Sequence, residues 1–208
     1  MARIPLLSAD GLTPEQRIVY DRIVAGPRKA IVGPLRAALH NPELAERWQQ
    51  LGALLRYGTS LPPRIKELAI IVTARRWNSS LEWQIHEQAA RAAGLPGSTI
   101  DAIRDAQAPP LEDADDAAAY EFVRELQTTG RVPESAYQKV HERFGTAGIV
   151  ELTALVGYYT MVAMTLNAHE IVLPEGEAGA PLPVPDTGLT SLAPGRRAGG
   201  SHAGEPGA

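Results

Sequence analysis

The chain is a succession of segments in which apolar residues recur every three or four positions, separated by Pro, Gly and Asn. Thr13-Pro14-Glu15 reads as an N-cap followed by proline in the first turn, and the helix it opens runs towards Gly26. Asn41-Pro42-Glu43 repeats that signal. It opens a helix with Leu44, Trp48, Leu51 and Leu55 on one face, stopped by Gly58. A third helix begins at Pro62-Pro63 and carries IKELAIIVTARRW, which is apolar nearly all round, the pattern of a central buried helix. Asn78-Ser79-Ser80 then breaks the chain, and Ser80 is placed to cap LEWQIHEQAARAAG, which Gly94 and Pro96 stop. Further helices are predicted at about 97–106, 114–129 and 134–144, and a long apolar one at about 146–170. No stretch sustains the alternation of a half-buried strand. The predicted fold class is all-α.

The pattern changes near Pro174. The 35 residues from there to Ala208 hold 6 Pro and 8 Gly, too little apolar content to offset their ordering entropy. The expected organisation is therefore a helical domain over 1–173 and an extended or disordered tail over 174–208. Within the tail, Leu182, Val184, Leu189 and Leu192 would let PLPVPDTGLTSL lie along a neighbouring subunit as an arm. The net charge of −4 argues against a nucleic-acid surface. No secretory leader and no 18-residue uninterrupted apolar window is visible, so the expectation is a cytoplasmic protein with no membrane partner. The absence of cysteine excludes dithiol redox, thiol peroxidase and zinc-thiolate chemistry.

Three polar residues stand out against the apolar pattern. Glu82 and His86 are four apart on one helix and so share a face, beside the stripe of Leu81, Ile85 and Ala89. A carboxylate beside an imidazole sets its tautomer and proton affinity, as a general acid or base requires. The same spacing also describes an exposed helix ion pair. Glu67 sits inside ELAIIV, where a charge is expensive to bury without a partner. In a hairpin of these two helices, Glu67 lies about 15 Å before the turn and His86 about 9 Å after it, a mismatch of roughly one helical turn. That geometry permits a cluster of Glu67, Glu82 and His86. His86-Glu87 opens like a zinc-protease signature, but Ala90 stands where the second histidine is needed, so that metal motif is absent; a carboxylate-rich metal site at Glu67, Glu82 and His86 lacks a second histidine to support it, and no metal is expected. Arg64, Arg75 and Arg76 flank the region as possible partners for an acidic substrate. A faint echo places Glu151 and His169 at nearly the spacing of Glu67 and His86.

The run ELAIIVTARRWNSSLEWQIHEQAARAAGL resembles the core helical hairpin of the carboxymuconolactone decarboxylase family, within the wider alkylhydroperoxidase D-like (AhpD-like) superfamily. GPLRAALHNPELAERW upstream and LNAHEIVLPEG downstream extend the resemblance to roughly residues 27–176. It implies an AhpD-like helical bundle built around that hairpin. In the peroxidase branch a Cys-x-x-Cys pair opens the second helix, and the matching positions here are Ser79 and Glu82. The resemblance therefore implies the decarboxylase-like branch: a cofactor-independent carboxy-lyase acting on a small, anionic lactone or ring-derived acid, as a homotrimer or homohexamer. Read onto this chain, it implies His86 as proton donor or shuttle, Glu82 as the group orienting it, and Glu67 as a second acid or tuning group. Ser79, Trp83 and Arg64 complete the candidate substrate-binding set, with Trp83 either a pocket wall or an anchor between subunits. The competing reading is a thiol-free scaffold of the same superfamily that binds without catalysis.

Overall fold

A computed structural model describes residues 2–172, 182–183 and 188–196. The described residues form helices α1 (Pro14–Ala25), α2 (Gly33–Ala38), α3 (Pro42–Tyr57), α4 (Pro63–Arg76), α5 (Ser80–Ala92), α6 (Gly97–Arg104), α7 (Ala114–Thr129) and α8 (Glu134–Ala168). No strand occurs among them, and the all-α expectation holds; a single bridge joins Pro110 to Arg196. The helices start where the capping chemistry places them. Thr13 and Gln16 form a reciprocal capping box, and the Asn41 side chain accepts from the Leu44 N–H at 3.1 Å. Asp113 accepts from the N–H groups of Asp115 and Asp116, and Gly130 closes α7 with φ +72°.

Three boundaries differ from the sequence expectation. The short helix α2 was not anticipated, because Gly33-Pro34 reads as punctuation when it is in fact a helical first turn. Ser79, not Ser80, is the N-cap of α5, and its side chain makes no cap bond. Asn78 supplies the turn by entering the left-handed region at φ 52°, which asparagine tolerates better than most residues. The two helices predicted at 134–144 and 146–170 are continuous except at Gly145, whose φ of 67° breaks the helical geometry within α8.

Helix α4 is the axis of the bundle. Its consecutive residues Leu68 to Arg75 are all buried, so no face is left for water, and α5, α7 and α8 pack around it. Arg64 at its start pairs with Asp113 at 2.6 Å and Asp116 at 3.1 Å, tying the beginnings of α4 and α7 together. Burial pushes the Asp116 carboxyl up to about 6 against that pairing. At the other end, the Arg75 guanidinium is buried among neutral oxygens: the Arg104 and Pro183 carbonyls and the side chains of Asn78 and Thr190. Where the tail is described it lies on this chain's own helices. Leu182 and Leu192 are buried, Thr190 bonds the Arg76 backbone, and Tyr120 donates to the Ala193 carbonyl at 2.6 Å. Leu189 is exposed, and Val184 lies outside the described residues. A stretch of α8 is apolar and long enough to cross a membrane by composition, and half of it is buried within the chain.

Trp83 is fully buried in this core, with its indole N–H donating to Glu87 at 3.1 Å. Trp83→Ala should therefore lower stability by about 3–5 kcal/mol through cavity formation. Trp83→Phe should cost clearly less, and urea-unfolding midpoints of the two variants check the order.

Candidate active site

Helices α4 and α5 form the hairpin that sets the site. Glu67, one turn into α4, reaches across to His86 on α5, and its Oε2 stands 2.7 Å from the imidazole Nδ1. The predicted axial mismatch is bridged directly by the two side chains. A carboxylate at that distance accepts from Nδ1–H, which leaves Nε2 as the basic nitrogen of the ring. His86 is 5% exposed, and burial holds its pKa below the ordinary 6.5 while Glu67 opposes that shift. The edge of Tyr159 meets the imidazole with ring centroids 5.0 Å apart, and Tyr158 stacks on Tyr159 in the same T-shaped manner.

Glu82 is in a different state. It is 2% exposed, and neither carboxyl oxygen has a hydrogen-bond partner of normal geometry. Burial pushes its pKa well above the ordinary 4.5, and the neighbouring Ser79 hydroxyl offsets this only in part. An ionised carboxylate without a cation is costly in such surroundings, so burial favours the protonated form of Glu82. Glu67, rather than Glu82, orients the imidazole, because the α4–α5 crossing brings Glu67 to Nδ1. The i, i+4 spacing puts Glu82 on the same face of α5 without giving it that bond.

Glu82 and His86 both line a cavity of about 470 Å³ enclosed by α2, α3, α5 and α8, a size that holds one small ring compound. Its walls are apolar at Ile31, Leu81, Ile85, Val162, Leu166 and Ile171, and cationic at Arg28, Arg56 and Arg36, the last of which donates to the Leu6 and Leu7 carbonyls. Of the other predicted site residues, Ser79 is buried beside Glu82 behind the cavity wall. Trp83 faces the core instead of lining a pocket, and its complete burial within one chain also removes it as an anchor between subunits. Arg64 is engaged by Asp113 and Asp116 and does not reach the cavity. Arg75 and Arg76 bond loop and tail oxygens. The echo forms no second site: Glu151 accepts from Ser60 at 2.6 Å, and His169 caps α8.

Sequence reasoning missed Arg28, Arg56, Tyr158 and Tyr159. Arg28 sits in a loop between helices, and Arg56 in a last helical turn where a cation suits the dipole regardless. The tyrosines are indistinguishable from core residues within the long apolar run of α8. What could have pointed to them is Gly52, a glycine in a helix interior, where it costs about 1 kcal/mol relative to alanine. A Cβ there would collide with the Tyr158 hydroxyl and the Arg28 guanidinium.

Residues 42–125 match the profile of the Carboxymuconolactone decarboxylase family, which spans α3 to α7 and contains the whole Glu67–Glu82–His86 hairpin. Over those residues the chain is similar to that family. Its fold is shared by an uncharacterized peroxidase-related protein from Silicibacter sp. TM1040, at TM-score 0.67 and 16% identity over 85% of this chain and 93% of that one. An alkylhydroperoxidase AhpD core protein from Ralstonia eutropha JMP134 gives TM-score 0.68 at 13% identity, over 85% and 94% of the two chains. The debrominase Bmp8, solved as a cysteine-to-alanine variant with 2,3,4-tribromopyrrole, gives TM-score 0.64 at 12% identity, over 84% and 92%. At these identities the likeness is one of fold. No curated protein matches the sequence.

The two titrating groups act on stability with opposite sign. A raised carboxyl pKa means that the folded state binds the proton more tightly, so Glu82 contributes stability below about 4.5 that is lost as pH rises through its folded value. His86, with its lowered pKa, contributes stability above about 6.5 that is lost as pH falls through its folded value. Glu82→Gln should therefore flatten the loss of stability at rising pH, read from unfolding midpoints across pH. In NMR titration His86 should protonate below the ordinary value, and Glu67→Gln should lower it further.

Proposed function

We propose that this protein is a cofactor-independent lyase that works by proton transfer, decarboxylating a small lactone acid or related ring-derived anion. The observation that supports this reading is the pairing, on one face of α5 and in one cavity, of a neutral carboxylic acid with a neutral imidazole locked by Glu67. Such a pair offers an acid and a base of separated proton affinity without any metal or thiol. In the proposed reaction the bond to the departing carboxylate breaks and carbon dioxide leaves. The electron pair moves through the conjugated double bond onto the lactone carbonyl oxygen. The Glu82 O–H then breaks as its proton passes to carbon, and the dienolate collapses to the product. A proton from solvent returns to Glu82 by way of His86 Nε2. Dry walls at Leu81, Ile85 and Leu166 favour loss of the carboxylate, because the charge is poorly solvated there before the bond breaks.

The same reading includes self-association with copies of this chain, as a homotrimer or homohexamer. Its support is the exposed apolar surface of Leu51, Leu54 and Tyr57 on α3 and Val150 and Met164 on α8.

The test is carbon dioxide release and ultraviolet loss from 4-carboxymuconolactone. Wild-type turnover should fall roughly 10²–10⁴-fold in Glu82→Gln and in His86→Ala, with both variants folded and of unchanged oligomeric state. Wild-type protein that leaves the lactone untouched, or a fully active Glu82→Gln variant, would overturn the reading. The first result would favour a binding protein on the same scaffold.

A further inference from the structure

The cavity has two unlike ends, and their order can be followed along α8. Tyr158 and Tyr159 stand at one end, where Tyr159 meets His86 and Arg28 approaches the Tyr158 hydroxyl at 3.4 Å. Eight residues later, about 12 Å along the helix, Leu166 and Leu81 both flank Gly33, where a Cβ would lie 3.2 Å from Leu81 and 3.4 Å from Leu166. Helix α5 runs the opposite way, so Leu81 and Glu82 belong to the apolar end and His86 lies one turn nearer the cations.

The cationic end is built but unsatisfied. The described ion pairs include neither Arg28 nor Arg56 with a carboxylate. The Arg28 Nε is buried without a hydrogen-bond partner, and the Arg56 guanidinium rests 5.5 Å from the Tyr57 ring centre. Both guanidinium groups line the same cavity as His86, and their charge disfavours its protonation. Gly52 makes the arrangement possible: its missing side chain is the space into which Arg28 and Tyr158 fit, and Arg56 follows one turn later on the same face of α3. A planar pair of oxygens on a substrate is the complement of such forks, since guanidinium binds carboxylate through two parallel hydrogen bonds.

We infer that the site takes an amphipathic carboxylate in one orientation, with a retained anionic group held by Arg28 and Arg56 and the apolar or departing end directed past His86 towards Glu82, Leu81 and Leu166. This rests on the acid–base reading of the same cavity and gives it a direction. The arginines do not hold the group that leaves, because a carboxylate paired with guanidinium is stabilised against loss of carbon dioxide. Arg28 and Arg56 are binding residues that decide which acids enter and which way round.

The test is equilibrium binding, by calorimetry or NMR titration, of four probes: benzoate, 4-methylbenzoate, its neutral isostere 4-methylbenzamide, and terephthalate. The expected order has 4-methylbenzoate tightest, with the amide weaker by at least about tenfold for want of the charged pairing. Terephthalate should also bind more weakly than 4-methylbenzoate, because its second charge falls at the apolar end. Arg28→Gln and Arg56→Gln should each erase the preference for acid over amide while keeping the wild-type unfolding midpoint, and Arg47→Gln on the exposed face of α3 should leave it intact as a control for net charge. Equal binding of acid and amide, or a preference untouched by both cavity substitutions, overturns the cationic end. Terephthalate binding as tightly as 4-methylbenzoate overturns the apolar end. Because none of these readouts needs turnover, the expected order in a protein inactive on the lactone would sink the proposed reaction and leave the orientation standing.

Discussion

A helix with no polar face has to be enclosed, and that constraint organises this protein. Helix α4 buries eight consecutive residues, so it must be surrounded, and α5, α7 and α8 are the elements that surround it. Glu67 is carried into this setting by the same helix. A carboxylate near such a core needs a donor, and His86 on α5 is the group that the hairpin brings to it at 2.7 Å. The bond that locks the candidate base is therefore a consequence of how the core is closed.

The electrostatics follow from unequal treatment of similar groups. Glu67 and Glu82 are both acids on the central hairpin, yet one has a close hydrogen-bonding partner and the other is buried with none of normal geometry among the described residues. Their environments give them different tasks: Glu67 fixes the imidazole tautomer, and burial favours the protonated form of Glu82. Among the described residues Arg28 and Arg56 have no carboxylate partner near the same cavity, while Arg64, Arg75 and Arg76 are engaged in holding helices and tail together. Such a division separates structural cations from those free to meet a ligand. It also corrects the choice that position along the chain suggests, since the arginines within and beside the central hairpin in sequence are those already engaged.

The family resemblance and the fold fit this division. The proteins that share this fold include a debrominase and one described as peroxidase-related, and at such identities what they share with this chain is the fold. In this chain the absence of cysteine removes thiol chemistry, and what remains at the head of α5 is an acid and an imidazole. The described tail segments add no group to the cavity. They close the far end of α4, where Arg75 takes oxygens from Pro183, Thr190 and Arg104.

Local rules were enough to read most of the helices from the sequence. Caps at Thr13 and Asn41, prolines in first turns and the all-round apolar run of α4 each act over a few residues, so they are visible in a linear pattern. The same holds for His86 and Glu82 as a pair, because four residues is one helical turn. The pairing of Glu67 with His86 was permitted by arithmetic along two helices, but their crossing decided it. Whether Glu82 has a partner, and where Trp83 faces, are properties of what packs around α5 and not of its sequence. Arg28, Arg56 and Tyr158 come from three segments separated by tens of residues, and they converge only because Gly52 leaves room for them against α3. Sequence determined the helices, the loss of thiol chemistry and the acid–imidazole pair, since these depend on residue type and short spacing. The tertiary structure decided which acid orients the imidazole, which stays protonated and which cations face the cavity, since these depend on burial and on contacts distant in the chain.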